Sequence, residues 1–395
     1  MSVVGNQQRM LGELLARLRP HWRRDPALPA RIEEILRRDR RFGSRDRRLY
    51  REMIYTALRH LPWIEPLLDS DPALSVRTVA WLAAETPATA DFRAAATAGW
   101  PARESALVAE KSSVLAGLIG ESARACLLPA WFASECPEAF VSPNYDTLNS
   151  RAPLWLRLQT SDPAPVFTEF AAKGWSWRPS ELRPGALELQ TDADATKPES
   201  YRLGLFEVQD LGSQLVLDSL NLEPGGRWLD ACAGAGGKSL QLAGLLGPEG
   251  RVEAHDVRPA ALDELGRRAQ RAGLGGRISR PREPEGLYDG VLVDAPCSGS
   301  GTWRRAPHLK WVTTPARVPA CARTQAALLD EFARFVRPGG RLVYATCSLC
   351  RTENEAVGRE FLSAHAAFAP DPPPRTLLPA AHDGDGFYVA PWRRA

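Results

Sequence analysis

Leu11, Leu14, Leu15 and Leu18 fall on one helical face, and Leu49, Met53, Ile54, Ala57, Leu58 and Leu61 repeat that spacing. The chain therefore opens with amphipathic helices. Pro62 and Pro101 punctuate the pattern without ending it, and an all-helical domain is predicted over 1–138. After Ser142 the period shortens. Alternation at 154–158 and 186–189, around one short helix at 165–173, predicts a small α+β module over 142–205. From Phe206 onward, apolar strands at 227–230, 251–256, 290–294 and 341–346 alternate with helices beginning at Gly237, Pro259, near Arg317 and at Thr352. Such α/β alternation predicts a doubly wound, Rossmann-like parallel sheet over 206–395, with ligands at the carboxyl ends of its strands.

Composition bounds the rest. With 395 residues the chain has room for more than one core, since a single core stops growing at roughly 250–300 residues. No apolar run approaches the roughly 20 residues of a membrane helix, and residues 1–19 carry charges where a signal peptide has its apolar stretch. A cytoplasmic monomer with no membrane partner is expected. The seven cysteines are odd in number and irregularly spaced, which argues against a secreted disulfide framework. The net charge of +3 conceals an asymmetry, because residues 9–59 hold 15 arginines against seven acids. That excess points to a polyanion, nucleic acid first, although a solvated helical surface has the same composition. Only five of the 50 basic residues are lysine, at 111, 173, 197, 238 and 310.

Chemistry is concentrated at three strand ends. Asp230-Ala231-Cys232-Ala233-Gly234-Ala235-Gly236-Gly237-Lys238 reads as a strand, a glycine-rich turn and a helix start, which lets backbone approach a nucleotide-like ligand. Asp256 ends the next strand 22 residues after Gly234, near the spacing expected of a carboxylate on ribose hydroxyls. The turn lacks the spacing of a phosphate-cradling loop, which suits S-adenosylmethionine better than a dinucleotide. Asp294-Ala295-Pro296-Cys297-Ser298-Gly299 and Ala345-Thr346-Cys347-Ser348 follow two apolar strands, 50 residues apart. A lone cysteine there is more often a small buried hydrophobe. Two of them beside a cofactor turn suggest covalent chemistry on a pyrimidine, whose carbon-5 becomes nucleophilic only after a thiolate adds to carbon-6. Asp294 is placed to bond the cytosine edge. Cys347-Ser348-Leu349-Cys350 is formally a C-x-x-C, but a zinc site would want a second pair, and no metal is expected. A nicotinamide oxidoreductase is a rival that predicts no dependence on Cys347.

The segments Asp230 to Lys238, Asp294 to Gly299, Arg304-Arg305-Ala306-Pro307-His308-Leu309-Lys310-Trp311 and Tyr344 to Glu355 resemble the RNA cytosine-5 methyltransferases of the RsmB/Sun type. Val208 to Gln214 and Asp385 to Ala390 resemble that family too. The resemblance implies S-adenosylmethionine-dependent methylation of RNA, ribosomal RNA first. It implies Cys347 as nucleophile, Cys297 in product release, Asp294 on the target base and Asp256 on the cofactor ribose. Asp230, Ala233, Gly234, Ala235, Gly236, Gly237, Lys238 and Asp294 complete the expected cofactor site. Arg304, Arg305 and Lys310 are expected to bind substrate, with Lys310 on a phosphate of the flipped nucleotide. Residues 1–138 look like a NusB-like RNA-binding domain, through Arg45-Asp46-Arg47 ahead of Tyr55-Thr56-Ala57-Leu58-Arg59. The chain departs from the family at Ala235, where proline is usual, and at Ala261, where arginine is usual. The acid that normally follows the third strand is absent, with Glu283 the nearest substitute. A weakened relative serving as an RNA-binding assembly factor is the alternative reading.

Overall fold

The computed structural model describes residues 2–395. They form two compact units, Met1–Arg151 with Thr302–Thr314, and Ala152–Gly301 with Pro315–Ala395.

The first unit is helical, as the leucine spacing predicts. Ser2 accepts a hydrogen bond from Gly5 N at 3.1 Å and starts the helix Val3–Leu18, which buries Leu11, Leu14, Leu15 and Leu18. The helix Ser44–Arg59 starts where Gly43 N donates to the Asp46 carboxylate at 3.3 Å, and it buries Leu49, Met53, Ile54, Ala57 and Leu58. Burying such a face, rather than helix propensity, is what holds helices of this length. The core also takes in Trp22, Ile32, Leu36, Trp63 and Val79.

Sequence periodicity does not reveal that Thr302–Thr314 packs inside this helical unit. Trp303 is fully buried with its ring 4.5 Å from that of Phe132, and Trp311 Nε1 donates to Leu58 O at 2.7 Å. Two tryptophans need large apolar partners, and the helical core supplies them. This placement corrects the expectation for Lys310. Its ammonium is 1% exposed and donates to Arg59 O at 2.9 Å, Leu127 O at 3.2 Å and Asn149 Oδ1 at 2.8 Å. Burial, with Arg59 nearby, pushes its pKa well down. Lys310 is engaged with internal oxygens and is not available to a phosphate. Arg304 is also buried, so of the three expected substrate contacts only Arg305 is exposed.

The second unit carries both sheets. The strands β1 (Leu154–Leu158), β2 (Ser176–Pro179), β3 (Ala186–Gln190) and β4 (Phe206–Val208) form an antiparallel sheet in the order β2-β3-β1-β4. Leu156, Leu187, Leu189 and Phe206 pack against Val166 and Phe170 of the helix Ala164–Ala172.

The larger sheet contains β5 (Arg227–Asp230), β6 (Arg251–Ala254), β7 (Ile278–Ser279), β8 (Tyr288–Asp294), β9 (Val336–Thr346), β10 (Phe368–Pro370), β11 (Arg375–Leu377) and β12 (Phe387–Arg394). Its order is β10-β12-β9-β8-β5-β6-β7, with β11 on β12. The strands from β9 to β7 are parallel, and β12 runs antiparallel to β9. Alternate residues serve the two faces. Leu292, Val343 and Ala345 pack with Leu240 and Leu265 on one side, while Val291, Val293 and Tyr344 pack with Leu329 and Phe332 on the other. A sheet covered on both faces reads as near-continuous apolar strands, which is why β8 and β9 are legible in sequence. From β5 the chain winds first to β6 and β7, then returns to β8 and β9. The crevice outside β5 and β8 is therefore the topological switch point, where such folds bind ligands. Among the described residues no helix is long and apolar enough to cross a membrane.

Candidate active site

At the carboxyl end of β5 the chain turns through Ala231–Gly236 into the helix Gly237–Leu245. Gly236 has φ +87°, and a Cβ there would lie 2.6 Å from Leu265 Cγ, so only glycine closes this turn against the neighbouring helix. The Ala235 carbonyl accepts a hydrogen bond from Arg268 Nη1 at 2.7 Å. Arg268 is in turn anchored on the buried Glu207 carboxylate at 2.9 Å.

This turn walls a cavity of about 740 Å³. Of the residues expected to bind cofactor, Ala233, Gly234, Ala235, Gly237, Lys238, Asp256 and Asp294 line it. Asp230 and Gly236 do not, which corrects two expected cofactor contacts. Gly236 faces Leu265. Asp230 is 1% exposed beneath the turn and accepts from Ser239 Oγ at 2.6 Å. Burial, with the charge of Asp294 adding to it, raises its pKa to about 7 against the bond from Ser239. Glu283 does not line the cavity either. Instead, Leu328, Glu331 and Phe332 of the helix Arg317–Ala333 contribute a wall that no sequence motif marked.

The Asp256 carboxylate follows β6. Its oxygens accept from Gly234 N at 2.8 Å, Arg258 N at 2.9 Å, Arg258 Nε at 2.9 Å and Arg258 Nη2 at 3.0 Å. Burial alone would raise its pKa, but these bonds outweigh it and hold the carboxyl below its usual range. The Arg258 side chain is itself 68% exposed. Across the cavity Lys238 Nζ donates to Asp294 Oδ2 at 2.8 Å and to Ser213 Oγ at 3.1 Å, and it lies 4.7 Å from the Phe387 ring centroid. The cavity fits a nucleoside joined to an amino acid: its volume is in the range of ligand sites, its glycine turn leaves room for backbone contact, and carboxylates lie at two ends.

Beyond Pro296 the two cysteine loops meet. β8 and β9 are hydrogen-bonded neighbours, with Asp294 opposite Ala345, so the residues that follow them emerge side by side. Cys297 Sγ and Cys347 Sγ are 3.3 Å apart, a thiol hydrogen bond and well beyond the roughly 2.05 Å of a disulfide. That bond to Cys347, together with burial, pushes the Cys297 thiol up. Cys350 is a separate matter, fully buried, with burial raising its pKa to about 12. Among the described residues no cluster could hold a metal ion.

Glu353 is the residue that motif reading passed over. Fully buried, it accepts from Ser298 N at 2.8 Å in one cysteine loop and from Ser348 Oγ at 2.9 Å in the other. Gln325 Nε2 donates to it at 3.0 Å and to Pro296 O at 3.0 Å. Asn354 adds a second clasp, accepting from Thr346 Oγ1 at 2.6 Å and donating to Ser348 O at 2.9 Å. The available signal was the Glu-Asn-Glu run that begins six residues past Cys347.

Residues 217–393 match the family model described as 16S rRNA methyltransferase RsmB/F. A ribosomal RNA small subunit methyltransferase B of Escherichia coli O6:K15:H31 is 30% identical over 285 residues, which cover 67% of this chain and 66% of that protein. A Synechocystis protein named "Probable ribosomal RNA small subunit methyltransferase B" is 35% identical over 247 residues, 53% of this chain and 55% of that one. The chain thus aligns over just over half to about two thirds of the length of these curated relatives. The crystal structure of PH0851 shares the fold at a TM-score of 0.71 and 22% identity, covering 94% of this chain and 95% of that one.

Proposed function

We propose that this chain, whose residues 217–393 match the family model described as 16S rRNA methyltransferase RsmB/F, methylates carbon-5 of a cytosine in ribosomal RNA through a covalent bond to Cys347. The observation that carries this reading is the thiol pair at 3.3 Å on adjacent strand ends. The Cys297 thiol, pushed up by the bond to Cys347 and by burial, keeps its proton, so Cys347 is the member of the pair left to act as nucleophile.

S-Adenosylmethionine, when bound, supplies an electrophilic methyl carbon. Ala233, Gly234, Ala235, Gly237 and Lys238 would hold its methionine end, Asp256 would take the ribose hydroxyls, and Val257, Leu328 and Phe332 would offer the adenine an apolar wall. Asp294 bonds the cytosine edge, oriented by the hydrogen bond that its Oδ2 accepts from Lys238 Nζ at 2.8 Å. The Cys347 thiolate forms a bond to carbon-6, which makes carbon-5 electron-rich. Once carbon-5 carries the methyl group, its proton passes to water, the electron pair of that carbon–hydrogen bond restores the 5,6 double bond, and the carbon–sulfur pair returns to Cys347 as the thiolate. Cys297 sits beside that departing sulfur.

The RNA contact is drawn from the helical unit. A cleft of about 640 Å³ is walled by Arg17, Arg31, Arg38, Arg40 and Arg41, against Glu34 and Asp39. Arg31, Arg38 and Arg41 are paired with acids, which leaves Arg17 and Arg40 for phosphate.

The two cysteine variants test the mechanism. Cys347→Ala should form neither adduct nor 5-methylcytosine while still binding cofactor. Cys297→Ala should accumulate a protein–RNA adduct that resists reducing agent on a denaturing gel. An adduct with Cys347→Ala and none with Cys297→Ala would reverse the roles.

A further inference from the structure

Two buried cations in the helical unit have no partner. Lys111, in the helix Val108–Ile119, is 7% exposed, and Arg59, at the end of the helix Ser44–Arg59, is 5% exposed. Among the described residues neither side chain makes a hydrogen bond or ion pair. Both line a pocket of about 330 Å³, together with His60, Arg103, Asn149 and Arg151. Leaving one charge buried without a partner is costly, and leaving two in the same pocket adds their mutual repulsion.

The nearby acids do not neutralise them. Glu52 bonds Arg151 through Oε2 at 3.1 Å, and its buried Oε1, with no hydrogen bond of its own, attracts Arg59 from beyond ion-pair distance; Asp146 accepts from Val108 N at 2.7 Å and attracts Lys111 in the same longer-range way. Glu104 is exposed at the rim. Arg103 donates to the carbonyls of Leu82 and Ala83, which do not cancel its charge. His60 Nδ1 bonds Thr56 O at 3.0 Å, and burial beside Lys111 and Arg59 keeps the ring neutral. Burial pulls the pKa of Lys111 down to about 8 and that of Arg59 to about 10, more than the attraction of Asp146 and Glu52 restores.

From this geometry we propose that the pocket is a binding site for a phosphate group, held by Lys111, Arg59 and Arg103. A tetrahedral oxyanion of charge between one and two supplies what the pocket lacks, and a guanidinium fork beside an ammonium matches its oxygens. The residues that line this pocket all belong to the helical unit, and none of them takes part in the proposed methyl transfer. Only the assignment of the phosphate to an RNA strand rests on that reading.

The probe is inorganic phosphate, titrated into the full-length protein in a phosphate-free buffer and followed calorimetrically, with sodium chloride at equal ionic strength as reference. Wild type should bind saturably and gain melting temperature beyond the chloride effect. Lys111→Met, whose fold is checked by circular dichroism, should bind on the order of tenfold more weakly. Ser105→Asp places a carboxylate at the rim, where Ser105 Oγ now accepts from Leu107 N at 3.0 Å. That variant should melt higher without phosphate and lose the phosphate response. A 5′-phosphorylated RNA oligonucleotide that displaces phosphate from wild type identifies the source as RNA, and binding of phosphate without such displacement identifies a free small phosphate. No saturable binding, or binding unchanged in both variants, overturns the proposal whatever the methylation assay shows.

Discussion

Glu353→Ala distinguishes a thiol pair that is held in place from one that merely lies close. The carboxylate is fully buried and accepts three hydrogen bonds, from Ser298 N, Ser348 Oγ and Gln325 Nε2. Truncation strands three buried donors. At about 1–3 kcal/mol for each unmet group, partly relieved by water entering the vacated space, the expected loss of stability is about 4 kcal/mol. Glu353→Gln keeps the volume and one acceptor but exchanges charge-assisted bonds for neutral ones, for a loss of about 2 kcal/mol. Guanidinium unfolding of the full chain should rank wild type above Gln above Ala. The rate of adduct formation at Cys347, measured on quenched denaturing gels, should follow the same order because both cysteine loops hang on this one side chain. The Glu353 charge also helps, after the bond to Cys347 and burial, to hold the Cys297 thiol up. Alkylation of Cys297 should therefore begin at lower pH in Glu353→Gln. An alanine variant within about 0.5 kcal/mol of wild type, with an unchanged adduct rate, would show that the loops are positioned without Glu353.

Three further outcomes follow from buried or capped charges. Asp230, raised to about 7 by burial from an unfolded value of 3.8, binds a proton in the folded state that the unfolded chain has already lost, so it costs stability as pH rises between these values. Asp230→Asn should gain on wild type by up to about 4 kcal/mol between pH 4 and pH 8, and a constant gap in unfolding free energy across that range would refute it. Arg258→Ala releases two bonds on Asp256, and because that guanidinium is mostly exposed the pair is worth no more than about 1 kcal/mol; cofactor affinity by calorimetry should rise by up to about fivefold, whereas weaker binding would make Arg258 itself a ligand contact. Lys310→Met should destabilise the chain by about 2 kcal/mol through three unmet acceptors and leave the salt dependence of RNA binding unchanged. A slope smaller by about one unit would return Lys310 to the phosphate role.

Local sequence determined the elements and the chemistry at their ends. Leucine spacing marked the helices, since one apolar face must be buried. Unbroken apolar runs marked β8 and β9, since a doubly covered sheet buries both faces of its strands. Short motifs carried the cysteines, the glycine turn and Asp256, because a strand end followed by a special residue is a local fact. Tertiary structure decided every question of partnership. Asp230 and Gly236 lie inside the cofactor motif but face Ser239 and Leu265, which contiguity in sequence does not distinguish from facing a ligand. Lys310 lies inside a family motif yet bonds Arg59, Leu127 and Asn149, residues 161 to 251 positions away. Glu353 and Arg268 act across loops that only packing brings together. The direction in which a side chain points, and the distant oxygen or cation it meets, depend on the whole fold, and no period or motif in the neighbouring residues encodes them.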